Sequence, residues 1–490
     1  MSIDALVELI HAENQGNWSE RNKQAFESLF GSPKGRYPKL AERTVTLRAP
    51  SIDPETGVPF SAYIHPSNPQ SGPYSGLSFV IFPSPGEPSL VGLVVGTQGL
   101  APDEMVLGRP GHARKAQAIC AWLNREFGKG TQVAWAKQDP TQTEISVPDE
   151  LRKKWAGFKS TFDRYGKVIY ALVKPDSDMR VTREAVTALL DLVLEERGYL
   201  PNKDHMADRD RIRSNWFSFL MPDVSQSQVA ELLAERRFVI IQGPPGTGKT
   251  TMAENLLAQN YRGVGRTIQF HPNTTYEAFI GGLAPTHSQG ELGLQFRPTP
   301  GFLMEAATDA KKDPQKPYLL DIEEINRADL AKILGESITL LEARAERPRE
   351  TNLQHDFGPP FHRTFKLPDN LHILGTMNSA DRSIAIVDVA VRRRFSFVSL
   401  WPQMTVVEKH GCKLMQDAFK DLVGIFMEHA NEDAFSLVPG HSYFLERDEK
   451  KAGKSLQVSL APLLEEYLAQ GYVSGFAEPI RSYLQWLRSL

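Results

Sequence analysis

The chain has 490 residues, 41% of them apolar and 23% charged, with 56 Lys+Arg against 59 Asp+Glu and a formal net charge of −3. That length predicts roughly two to four domains with real cores. Those apolar and charged fractions exclude a disordered tail, and the near-even charge balance excludes a polycation held to nucleic acid by bulk charge. Cys120 and Cys412 are too few and too far apart for a disulfide scaffold or a cysteine zinc site.

The first residues lack a basic segment followed by an apolar one, which points to a cytoplasmic protein. The most apolar stretch, 76–96, is interrupted by Pro83, Pro85, Glu87 and Pro88, so no membrane span is expected. Residues 1–200 read as an α+β domain: short β-branched and aromatic runs at 44–47, 77–82 and 90–95, a helix around 116–123, and an amphipathic helix over 183–197. In that helix Val186, Leu189, Leu190, Val193 and Leu194 share a face, with Thr182 as N-cap and Gly198 as stop. The mixed-charge stretch within 201–224 reads as a linker. From 225 to 400 short apolar strands at 238–242, 267–270, 318–322, 371–376 and 395–400 alternate with helical segments, the pattern of a parallel α/β sheet. Residues 401–490 turn mostly helical, with the longest segments at 406–430 and 460–468, and read as a lid subdomain.

Between the strand 238–242 and a helical run that opens at Thr251 lie Gly243, Pro244, Pro245, Gly246, Thr247, Gly248, Lys249 and Thr250. This fits GxxxxGK[ST] in the strand–loop–helix context that gives the pattern meaning. Glycines let successive amides point inward, and the helix start adds its positive end, so the loop cradles phosphate oxygens. Lys249 would reach the β- and γ-phosphates, and the Thr250 hydroxyl would ligate Mg²⁺.

Tyr318 to Glu324 is an apolar strand running into carboxylates, with Glu324 the candidate general base and Glu323 on the metal side. The strand 371–376 leads to Asn378, a candidate for orienting the attacking water or sensing the γ-phosphate. Asp381 and Arg382 follow, then Arg392, Arg393 and Arg394. Three adjacent arginines suit a finger supplied across a subunit interface; a solvated turn or a nucleic-acid patch would also use them.

With these residues in hand the sequence resembles the AAA+ superfamily and, within it, the McrB branch. The resemblance rests on Gly243 to Thr250; on Phe270-His271-Pro272 with Tyr276 to Ile280; on Glu323-Glu324-Ile325-Asn326-Arg327-Ala328; on Met377 to Ser383; on Val391 to Phe397; and on Gly440-His441-Ser442-Tyr443-Phe444. It spans about 225–470. It implies a homo-oligomeric, hexameric ring with GTP or ATP and Mg²⁺ at subunit interfaces, and a McrC-like partner carrying the nuclease. Lys249 and Thr250 then become the nucleotide and Mg²⁺ contacts, Glu323 and Glu324 the acidic pair, Asn378 the first sensor, and Arg393 or Arg394 the trans-acting finger. Asp381 and Arg382 fall in the branch's hydrolysis segment. Glu323 stands where Asp is commoner, and Thr247 is as much at home in ATP-using members as in GTP-using ones.

By analogy with such chains residues 1–200 would read DNA, with Trp18, Tyr37, Trp122 or Trp135 available to stack on an extruded base, or simply packed in the core. The segment from Arg109 to Lys115 is a candidate phosphate grip at a helix start. The alternative to a restriction motor is a MoxR-like remodeller of protein partners, its first half an adaptor. No nuclease motif is evident.

Overall fold

The computed structural model describes residues 2–12, 17–31, 34–52, 57–287, 294–342, 349–380 and 388–490. Two compact units emerge, Met1–Met221 with Met427–Asn431, and Pro222–Phe426 with Glu432–Leu490.

The first unit is α+β. Its antiparallel sheet runs in the order Thr46–Ile52, Pro59–Ile64, Leu77–Ser84, Glu87–Val95, Ile169–Val173, Ala134–Ala136. The central hairpin closes through Pro85-Gly86 between the paired Ser84 and Glu87. Proline presets the first turn position, and glycine, at φ +76°, takes the left-handed second one. The expected helix at 183–197 spans Met179–Glu196 instead, because the Asp178 side chain accepts from the Arg180 amide and starts it four residues sooner. The stretch 201–224 contains the helix Met206–Phe217.

The second unit is an α/β fold with a helical C-terminal part. Five parallel strands lie in the order Ser396–Ser399, Phe238–Gly243, Leu371–Asn378, Tyr318–Glu323, Gly265–Gln269. Strand alternation sends Phe238, Ile240, Leu320, Ile322 and Ile373 to one core, and Val239, Ile241, Leu319 and Leu374 to the other, so both faces are covered by helices. The Gln226–Arg236 helix begins in a capping box, Ser225 with Gln228. The helical part comprises Met404–His410, Lys413–His429, Glu449–Ala469 and Ala477–Ser489.

Two features depart from the periodicity. The helix opening at Lys249 is α-helical only to Asn255 and widens into a π turn over Leu256–Asn260. An antiparallel hairpin, Gly281–His287 with Leu294–Pro300, interrupts the α/β alternation. Its Leu283 is 47% and its Phe296 69% exposed, so no buried face imposes the two-residue alternation by which strands are recognised. Among the described residues no helix is long and apolar enough to cross a membrane.

Candidate functional site

Parallel register gathers the candidate residues at the carboxyl edge of the second unit's sheet. Asn378 is paired with Gly243, the first residue of the P-loop, and the Ser379 amide donates to the Gly243 carbonyl at 3.0 Å. Asn378 Oδ1 accepts from the Ala380 amide at 3.2 Å, which holds the side chain at the strand end. In the loop Gly246 and Gly248 sit at φ +82° and +81°, where a side chain would strain the backbone. Thr247 is buried and its hydroxyl donates to the Pro244 carbonyl at 3.1 Å. Lys249 Nζ donates to the carbonyls of Gly243 and Pro244 at 3.0 and 2.8 Å. Burial pulls its ammonium down to about 8, and the Glu324 charge works in the opposite direction. Thr250 and Thr251 are exposed at the helix start.

Glu324 follows its strand at φ +52°, a left-handed conformation that costs a non-glycine residue about 1 kcal/mol or more. Its Oε2 is buried without a hydrogen-bond partner, and Arg327 Nε lies 3.5 Å away. Such strain and spare acceptor capacity are what an acid held for a substrate shows. Glu323 is half-buried one residue earlier. A hydroxyl from Thr250 and a carboxylate from Glu323 are hard oxygen donors of the kind Mg²⁺ takes when phosphates and water complete its shell. Among the described residues no cluster of three or more His, Cys, Asp or Glu could hold a metal unaided.

The sequence reading passed over Asp321. It is fully buried on the same strand face as Glu323, accepts from the Thr267 hydroxyl at 3.1 Å and leaves Oδ1 without a partner. Burial pushes its carboxyl up to about 7, with Glu323 and Glu254 adding to the rise against the Thr267 bond. A second omission is the segment from Gly440 to Tyr443. Quoted only as part of the resemblance, it lies directly on the P-loop: the Gly440 amide donates to the Pro245 carbonyl at 2.9 Å and the Ser442 amide to the Gly246 carbonyl at 3.0 Å. No local signal announces a contact across almost two hundred residues.

Of the arginines, Arg394 is partly buried and Nη1 donates to its own helix at the Ala390 carbonyl, 2.7 Å. Arg392 stacks its guanidinium 5.1 Å from the Phe397 ring centroid. Arg393 is exposed, its backbone amide donates to the Val389 carbonyl at 3.2 Å, and among the described residues its side chain makes no hydrogen bond or ion pair. Asp381 and Arg382 lie outside the described residues.

In the first unit the proposed stacking aromatics are largely core: Trp18 is 2%, Tyr37 0% and Trp122 4% exposed, and Trp135 is half-buried. The basic segment is also committed. Arg109 and Lys115 pair with Glu196, and Arg114 donates to the carbonyls of Met427 and Ala430. Instead, a cavity of about 550 Å³ opens between Arg48, Phe60, Tyr74, Phe82 and Tyr165. Phe82 and Tyr165 stack at 5.7 Å, and Arg48 lies 5.5 and 5.4 Å from the Phe60 and Tyr74 ring centroids. Arg48 is 9% exposed, and its Nη1 has no hydrogen-bond partner.

A strand-borne phosphate loop, an acid on the next-but-one strand of a parallel sheet and a polar amide between them define a P-loop NTPase of the AAA+ class. The AAA domain family of the dynein-related subfamily matches residues 238–395. The type IV methyl-directed restriction enzyme EcoKMcrB subunit of Escherichia coli K12 is 33% identical over 269 residues, 50% of this chain and 57% of that one. The type II restriction enzyme BsuMI component YdiS of Bacillus subtilis 168 is 27% identical over 228 residues, 38% of this chain and 66% of that one. Among solved structures, NtrX from Brucella abortus matches at 14% identity over 57% of either chain with a TM-score of 0.24, too low to carry an argument. The chain is an McrB-like AAA+ protein, and its matches span less than two thirds of either curated relative.

Proposed function

We propose that this chain is the nucleotide-hydrolysing motor of a restriction system, a ring-forming GTPase or ATPase that couples turnover to work on DNA for a McrC-like nuclease partner. The observation that carries it is the convergence of Lys249, Glu324 and Asn378 at one sheet edge, joined to the likeness to two restriction-enzyme components.

In this reading the loop amides, Lys249 and the Thr250 hydroxyl bind the polyphosphate. Mg²⁺, held by Thr250 and Glu323, would neutralise charge on the phosphate oxygens. Glu324 takes the proton of the attacking water; its left-handed backbone and an Oε2 without a hydrogen bond support that role. Asn378 fixes the water or the γ-phosphate from the adjacent strand end. Arg393 has the exposure a trans-acting finger needs, so a neighbouring copy completes the site; Asp381 and Arg382 belong to the same hydrolytic segment. DNA reading falls to the first unit, where the aromatic cavity beside Arg48 suits an unstacked base better than the aromatics picked from sequence.

Glu324→Gln keeps size and polarity but not basicity. Turnover of Mg-GTP and Mg-ATP should fall by about 10²–10⁴-fold while nucleotide binding persists. Near-wild-type turnover would remove Glu324 from the mechanism, and the faster of the two nucleotides identifies the substrate. Tyr165→Ala should weaken binding of the full chain to duplex DNA without altering turnover in the absence of DNA.

A further inference from the structure

The hydrolytic scheme leaves the Gly440–Tyr443 segment unused, although its backbone is pressed onto the P-loop. A Cβ added at Gly440 would stand 2.0 Å from the Gly246 carbonyl carbon, and one at Gly246 would stand 2.4 Å from Ser442 Oγ. Gly440 therefore requires glycine because its backbone lies against that of the loop, and Gly246 because its φ of +82° is left-handed and the Ser442 and Tyr443 side chains fill the space beside it. The approach brings in one side chain with chemistry to offer. His441 opens a 3-10 turn, His441–Phe444, and its Nε2 lies 3.7 Å from where a Cβ on Gly248 would sit.

The tautomer of that ring follows from its other nitrogen. Nδ1 accepts from the Gln403 backbone amide at 3.3 Å. An amide can only donate, so Nδ1 carries the lone pair and the neutral ring holds its proton on Nε2. Burial lowers the pKa of His441, which keeps the ring neutral and this tautomer in place near physiological pH. Among the described residues the Nε2–H has no acceptor. It faces Gly248, the second left-handed glycine of a loop whose amides are turned toward phosphate.

We propose that His441 is a nucleotide-binding residue whose Nε2–H donates to an oxygen of the nucleoside triphosphate lying across Gly246 and Gly248. This rests on the reading that the loop binds such a nucleotide. The contact would let the helical part sense occupancy of the loop through the ligand itself, in addition to its two backbone bonds to Pro245 and Gly246.

The test uses the full chain in a Glu324→Gln background, with Mg-GTP, Mg-ATP and inorganic tripolyphosphate titrated calorimetrically. A hydrogen bond to a charged acceptor implies that His441→Ala raises the dissociation constant about tenfold or more. His441→Gln, which can return an N–H donor, should recover to within about threefold, and His441→Phe should not. A loss shared by tripolyphosphate places the acceptor on a phosphate; a loss confined to the nucleotides places it on the sugar or base; either supports the proposal. Equal affinity of His441→Ala and the parent overturns it while leaving the P-loop reading intact. Equal weakness of the Ala and Gln variants, with a lowered thermal midpoint in both before ligand is added, makes the ring a packing element and also overturns it. Failure of the parent itself to bind any of the three overturns the P-loop reading and this proposal together.

Discussion

Lys249 with Glu324 in the second unit and Arg36 with Asp191 in the first are both pairs of opposite charge brought together by the fold, but only one pair is closed. Arg36 is 1% exposed and holds Asp191 through two bonds of 2.7 and 2.5 Å, while Tyr37 donates to the same carboxylate and Asp208 takes Arg36 Nη1. Every strong donor there has an acceptor. Lys249 instead spends its ammonium on two loop carbonyls, and Glu324 keeps an oxygen without a hydrogen bond, 3.5 Å from Arg327 Nε, on a strained backbone. A buried charge fully satisfied by its own chain is structural, whereas spare hydrogen-bonding capacity beside a cavity or loop marks a place for a ligand. Arg48, whose Nη1 has no partner and which lines the aromatic cavity of the first unit, falls on the open side of that division.

The largest effect should come from Arg393→Ala: if this exposed cation completes a neighbour's site, turnover falls by about 10³-fold or more. Adding Lys249→Ala subunits should then restore part of the activity at mixed interfaces. Arg394→Ala, which removes a side chain bound to its own helix, should cost less turnover and more stability. Equal losses, or no rescue on mixing, would remove the interface role. Next, Asp191→Ala should destabilise the closed network by about 3 kcal/mol or more in urea unfolding, since it strands a buried guanidinium. A loss under about 1 kcal/mol would mean the network is not what holds that core.

A smaller, pH-dependent effect tests the second unit alone. His372 is hydrogen-bonded to the Tyr261 hydroxyl at 2.6 Å, and burial, with Arg237 adding, pulls its pKa down to about 4 from an ordinary 6.5. Between those values the unfolded chain binds the proton and the folded chain does not, so stability is lost as pH falls from about 6.5 toward 4. The parent should lose about 2 kcal/mol more than His372→Gln between pH 7 and 4.5. Parallel stability curves for the two would show that the ring is more freely hydrated than its burial implies.

How much could be read beforehand follows the same division. The five parallel strands were legible to within two residues at most ends, because apolar runs between helices have few other uses in an α/β chain. The P-loop, the acidic strand end and Asn378 were legible because each is a short string whose chemistry depends on its neighbours in sequence. The hairpin at 281–300 was not, since its exposed strands carry no alternation. Nor was Asp321, one carboxylate among three in its stretch until the strand's pleat turned it inward. The two readings of the first unit's aromatics, base stacking or core packing, stayed open for a related reason: sequence shows that Trp18, Tyr37 and Trp122 are large and apolar, but not on which side of a sheet each lies, and the fold buries all three.

Sequence alone determined the local features: an α/β half with a phosphate loop, strand-end acids in order, and a helical tail. Those are properties of neighbouring residues, whose backbone preferences and side-chain spacing act over a few ångströms of chain. Tertiary structure decided which distant groups meet: Asn378 beside Gly243, His441 over Gly248, Arg36 locked by Asp191, and Arg48 left with an unmatched donor among four rings. Hydrogen bonding and burial are settled by contacts made after the chain has folded back on itself, and those contacts separate a side chain that holds the protein together from one that awaits a ligand.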